Sequence, residues 1–192
     1  MVPVSTSKQR LKQNKIRYTE YYDLQEVLDE LYEDSKDNKI FSNLMKLITS
    51  RENIKLAYRS IKGNKGSHTA GVDGRTINHL SKLNEEEYIS LIQKQFHWYK
   101  SRPVKRVEIP KPNGKTRPLG IPTIVDRIVQ QCILQILEPI CEAKFHDSSY
   151  GFRPNRNTEH AIAECARLMQ RQHLHYVCLL YTSDAADDSL RV

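Results

Sequence analysis

The sequence predicts an α+β protein, mainly helical, with one β-hairpin set between helices. Three observations carry this. Apolar residues recur at helical spacing through most of the chain; the period drops to two at Lys105-Arg-Val-Glu-Ile109; and Asn113-Gly114, a strong hairpin-turn signal, separates that stretch from a partner at Arg117–Ile121. With 192 residues, 39% hydrophobic and 28% charged, the composition is globular rather than disordered. A chain of this size hides roughly 70% of its unfolded surface.

The elements follow in chain order. Residues 1–43 read as a variable helical extension of uneven charge. Lys8, Arg10, Lys12, Lys15 and Arg17 meet no acid, whereas residues 20–37 carry eight acids against Lys36 alone. Thr49-Ser-Arg-Glu52 has the form of a capping box, followed by Ile54, Ala57, Tyr58 and Ile61 at helical spacing. Gly63 should end that helix and open a glycine-rich loop, Asn64 to Gly74. Asn84-Glu-Glu-Glu87 caps the next helix, with Tyr88, Leu91, Ile92, Gln95, Phe96 and Tyr99 on one stripe. In the hairpin that follows, Pro118 suggests an edge strand.

Thr123-Ile-Val-Asp126 then caps a long helix with Ile128, Val129, Cys132, Ile133, Ile136, Leu137 and Ile140 on its apolar stripe, and Pro139 is expected to kink or end it. The loop Ser148–Pro154 leads to a helix from about Thr158 to Met169, with Ile162, Cys165 and Met169 expected inside. His175-Tyr-Val177 reads as the start of a buried strand.

Charge narrows the function. The chain carries net +7 with a pI near 9.2, which favours a polyanionic partner over a small acidic metabolite. From Lys100 to Pro122 there are seven cations and one acid, Glu108, and the hairpin signal fixes these charges in space. No apolar run reaches about 18 residues, so no membrane partner is expected. Cys132, Cys141, Cys165 and Cys178 form no C-x-x-C pair and read as reduced core residues of a cytoplasmic protein. His173 and His175 lack further ligands at zinc-site spacing, so no metal site is assigned.

Four motifs in series then resemble one family: Asn64-Lys-Gly through Gly71-Val-Asp-Gly74, Pro103–Pro122, Asp126-Arg-Ile-Val-Gln-Gln131, and Ser149-Tyr-Gly-Phe-Arg-Pro-Asn-Arg156. In order and spacing they resemble the N-terminal part of a group II intron-encoded reverse transcriptase, or maturase, over about residues 44–177. The resemblance implies the N-terminal extension and fingers of a right-hand polymerase, with the palm just beginning. It implies RNA-directed DNA synthesis in intron mobility and splicing. The partners would be intron RNA or another RNA template, a DNA primer and dNTP, with Mg²⁺ as cofactor.

By the same resemblance, Lys111 and Arg117 would grip the incoming triphosphate. Lys65 in the glycine loop, together with Arg102, Lys105, Arg106 and Arg153, would contact template. The loop is either a lid over template or a plain connection between helices. Phe152 is expected either in the core or, like Arg153, against nucleotides.

The chain departs from the family after Val177, where a palm strand with its first catalytic aspartate is expected. Instead it reads Cys178 to Val192, with Asp184, Asp187 and Asp188 at spacings that do not match the catalytic motif. Residues 178–192 are therefore expected to be a non-native read-through tail. Without them the net charge rises from +7 to +9, since three Asp and one Arg leave. No catalytic residue is assigned, and the segment alone is expected to be inactive. Two other readings are an RNA-binding module without chemistry, and a reverse transcriptase of a CRISPR or diversity-generating system.

Overall fold

The computed structural model describes residues 22–111, 114, 116–174 and 176. The basic stretch 1–17, turn residues Pro112 and Asn113, Lys115, and residues 175 and 177–192 (most of the expected palm strand and all of the tail) lie outside them. The fold is mainly helical with one two-stranded antiparallel hairpin, as the sequence predicts. It divides into two units, one ending at Lys144 and one beginning at Phe145.

The first unit runs α1 (Gln25–Lys36), α2 (Leu44–Ile48), α3 (Arg51–Lys62), a 3₁₀ turn (Lys65–His68), α4 (Ile77–Leu80) and α5 (Glu85–His97). Strands β1 (Lys105–Pro110) and β2 (Thr116–Ile121) then lead into α6 (Ile124–Glu142). The core is built on α6. Ile124, Ile128, Cys132 and Ile136 recur every fourth residue, which keeps them on one face, and all four are fully buried. They share one apolar cluster with Ile54 and Ala57 of α3, Ile89 and Ile92 of α5, and Leu31 of α1. Burying each isoleucine contributes roughly 1.5–3 kcal/mol. Burial also pushes the Cys132 thiol up to about 12.

A polar knot crosses this core. Asn53 is fully buried; its amide donates to the carbonyls of Ile48 (2.9 Å) and Cys132 (3.0 Å), and its Oδ1 accepts from Gln135 (2.6 Å). Helices α2, α3 and α6 are thereby fixed in register.

The caps at Asn84 and Thr123 form as the sequence predicts. Asn84 Oδ1 accepts from Glu87 N–H while Glu87 accepts from Asn84 N–H, both at 2.9 Å. Thr123 Oγ1 accepts from Asp126 N–H at 3.3 Å.

Several expectations need correction. The cap of α3 is Ser50, not Thr49, whose hydroxyl instead donates back to the Met45 carbonyl at the end of α2. Of the two expectations for Pro139, it does not end α6 at its own position: it lies inside the helix, which continues to Glu142, and its missing N–H removes the intrahelical bond to the Gln135 carbonyl. Leu31 lies in the common core, and Ser35 Oγ donates to the Ile140 carbonyl at 2.8 Å.

The second unit contains α7 (Thr158–Arg171), whose start Asn157 caps by accepting from His160 N–H at 2.8 Å. No residue of α7 is buried, and Ile162, Cys165 and Met169 are exposed rather than inside. Cys141 of α6 is exposed too, so only Cys132 of the three described cysteines is a core residue.

Candidate nucleic-acid interface

Six of the seven basic residues assigned from sequence lie in the first unit, on the hairpin or beside it. The strands pair Lys105↔Ile121, Val107↔Leu119 and Ile109↔Arg117, with Arg106↔Gly120, Glu108↔Pro118 and Pro110↔Thr116 alternating between them. Because side chains alternate across a pleat, one face carries Lys105, Val107, Ile109, Arg117, Leu119 and Ile121. Its apolar middle is open to water, with Ile109 and Leu119 both exposed. The face has Lys105 at its foot and Arg117 towards its tip.

The Gly114 N–H donates to the Lys111 carbonyl at 3.1 Å and closes the turn, and Gly114 takes a φ of +76°, which favours a residue without Cβ. Lys111 stands two residues beyond Ile109, the partner of Arg117, so Lys111 and Arg117 share the tip of the hairpin. Both are exposed. Neither has an ion pair among the described residues.

The other cations differ in their company. Lys105 and Lys65 are exposed and have no ion-pair partner among the described residues. Arg106 bonds Glu108 along its own strand at 3.0 Å. Arg102 meets Asp73 of the glycine loop at 3.4 Å, and Asp73 also accepts from the Arg75 N–H at 3.2 Å. Exposed pairs of this kind contribute little and exchange readily for another anion.

The feet of the hairpin are tied to the first turn of α6. Asp126 is buried, accepts from the Thr123 hydroxyl at 2.6 Å, and is reached by the Tyr99 hydroxyl at 3.4 Å. Loss of water around the Tyr99 hydroxyl and the adjacent Asp126 carboxylate raise its pKa, so it stays a donor. Gly71 of the loop lies against the backbone of Pro122 and Thr123. A Cβ there would come within 2.8 Å of the Thr123 Cα.

Arg127 and Asp126 lie in the Asp126–Gln131 motif, to which the sequence attaches no role beyond the resemblance and the part of Asp126 in a cap. Arg127 donates to the Pro122 carbonyl (Nε, 3.0 Å), the Gly66 carbonyl (Nη1, 2.7 Å) and the Thr69 carbonyl (Nη2, 2.7 Å). One signal was available. A cation in the first turn of a helix is disfavoured by the helix dipole, so an arginine there points to another use.

The seventh cation, Arg153, belongs to the second unit. It is buried and donates to the carbonyls of His146 (2.8 Å) and Ser149 (2.9 Å), with its guanidinium 5.3 Å from the Phe145 ring centre. Of the two positions expected for Phe152, it does not take the core one: that side chain is fully exposed, on a backbone with φ of +56°. Arg153 thus braces the loop from within and Phe152 is the residue presented.

No group of three His, Cys, Asp or Glu gathers as a metal site among the described residues. The carboxylates on the hairpin or near its feet, Glu108, Asp73 and Asp126, are already engaged by arginine, hydroxyl or backbone N–H donors. These residues do not fit a magnesium ion, which needs several free hard oxygen ligands.

Residues 109–185 match the family described as reverse transcriptase (RNA-dependent DNA polymerase), a match that begins in β1 and runs eight residues past Val177. The chain is 48% identical to Protein YkfC of Escherichia coli over 62% of its own length and 32% of that protein. It is 34% identical to the group II intron-encoded protein LtrA of Lactococcus lactis subsp. cremoris, over 73% of this chain and 24% of LtrA. To the putative COX1/OXI3 intron 2 protein of Saccharomyces cerevisiae it is 32% identical, over 81% of this chain and 18% of that protein. The chain spans about a third or less of the length of these curated relatives. No helix among the described residues is long and apolar enough to cross a membrane.

Proposed function

We propose, from the premise that this chain is a segment of a group II intron-type reverse transcriptase, that its hairpin and glycine loop hold RNA template and the incoming dNTP. The observation that carries the reading is the hairpin itself. Lys111 and Arg117 stand at one tip, exposed and without ion-pair partners among the described residues, while Lys105 stands at the foot of the same sheet.

The chemistry of the parent would join a primer 3′-hydroxyl to the α-phosphate of a dNTP, with Mg²⁺ bound by carboxylates outside the residues described. The hairpin's own task is electrostatic. Positive groups held near the triphosphate oppose its charge without having to reorganise as the bond forms. Guanidinium suits this role at Arg117, because its planar fork can take two phosphate oxygens at once. Lys65, Arg102, Lys105 and Arg106 would contact template phosphates, which gives affinity without sequence preference. Their ion pairs with Asp73 and Glu108 would open in exchange for phosphate. Group II intron RNA is the template this family relationship favours.

The test is carried out in the full-length parent enzyme. Lys111→Ala and Arg117→Ala should each raise the KM for dNTP or lower kcat by roughly 10- to 150-fold, the range of a lost charged hydrogen bond. Template–primer affinity should stay nearly unchanged. Substitutions at Arg102, Lys105 and Arg106 should show the opposite pattern. Weakened template binding with intact dNTP kinetics in the Lys111 and Arg117 variants would make the tip a nucleic-acid grip and contradict the assignment.

A further inference from the structure

We infer that Arg127 is a positioning residue whose guanidinium joins the glycine loop to the exit of the hairpin, so that Lys65 and the hairpin cations meet RNA as one surface. This rests on the reading of loop and hairpin as a template surface.

The geometry is specific. One side chain donates to three backbone carbonyls, at Gly66, Thr69 and Pro122, which lie 61, 58 and 5 residues away in the chain. Each of the three guanidinium nitrogens serves a different oxygen. A lysine, with one nitrogen, cannot span them. All three acceptors are neutral, so the arginine keeps its charge beside the loop.

The loop has little else of its own to hold it. Its internal backbone bonds are short turns, Ser67 N–H to Asn64, Thr69 N–H to Gly66 and Gly74 N–H to Gly71. Two further contacts run to the hairpin feet: Gly71 against Pro122 and Thr123, and Asp73 to Arg102. The loop is therefore fastened at both feet of the hairpin, with Arg127 as its most extensively bonded fastening. A flexible glycine loop would lose much conformational freedom on binding RNA; a loop already fixed loses less.

The test uses the 192-residue chain and a fluorescent RNA hairpin carrying a single-stranded extension, with Arg127→Lys, Arg127→Ala, Lys65→Ala and Lys105→Ala variants. Both Arg127 variants should weaken RNA binding about tenfold, the size of one lost charged contact. The effect of Lys65→Ala should shrink in the Arg127→Lys background, because the two substitutions act on one surface. Wild-type affinity in Arg127→Lys would mean that charge alone suffices, and would overturn the inference. So would a lowered melting temperature with unchanged RNA affinity in both Arg127 variants, since the role would then be structural. If Lys65→Ala and Lys105→Ala bind like the wild type while Arg127 variants do not, the template-surface reading fails instead.

Hydrogen exchange on the wild-type chain keeps the question open to refutation even where variants misfold. RNA should protect residues 66–69 and 120–123 together. Protection of one segment alone would overturn the coupling.

Discussion

Asn53 shows how much a single polar residue decides in this molecule. Its side chain satisfies two carbonyls and one amide inside the core, across 79 and 82 residues of sequence. Asn53→Ala strands those groups without water, at a cost of about 1–3 kcal/mol for each buried group left unpaired. Urea denaturation should show the loss as a lower midpoint; an unchanged midpoint would mean the knot carries no net stability. Cys132 offers a second residue-scale check. Its thiol is buried and pushed up to about 12, so almost none is thiolate at pH 8, whereas Cys141 and Cys165 are exposed. Alkylation of the native chain at pH 8 should label Cys141 and Cys165 and spare Cys132. Rapid labelling of Cys132 would show that the α6 core opens.

At the scale of elements, the hairpin has the clearest layout: Lys111 and Arg117 at the tip, Lys105 at the foot and an open apolar strip between, the arrangement on which the proposed division between triphosphate and template rests. Gly114 sets the turn through a φ of +76°. Gly114→Val should strain that turn by roughly 1 kcal/mol or more and speed amide exchange along β1 and β2, with α6 unaffected. Equal exchange in variant and wild type would show that the turn does not hold the strands in place.

The hairpin, its register-setting turn and the caps at Asn84 and Thr123 were legible in the sequence because each has a local signature of turn residues or a Ser/Thr/Asn oxygen three residues from its donor. The partners of Arg127, the Asn53 knot and the burial of Arg153 beside an exposed Phe152 were not. Their partners are distant in sequence or are backbone carbonyls, which leave no side-chain pattern to read. The face of α7 was misread for a related reason. Its period is helical, but no described residue buries it, and periodicity tells which residues share a face without telling what that face meets.

For the whole molecule, the similarity to reverse transcriptases and group II intron-encoded proteins and the unevenly placed charge support the same proposal, a surface that meets RNA through phosphates. The most direct measurement is equilibrium binding of the 192-residue chain to a structured RNA as a function of salt. If Lys65, Arg102, Lys105 and Arg106 each neutralise a phosphate, log affinity should fall with log salt at a slope of roughly −3, from about 0.7–0.9 per contact. Reversing charge at Arg102, Lys105 and Arg106 should flatten it further towards zero. Affinity that stays constant between low and moderate salt, or a slope that the reversals leave untouched, would contradict a phosphate-binding surface on this hairpin and loop.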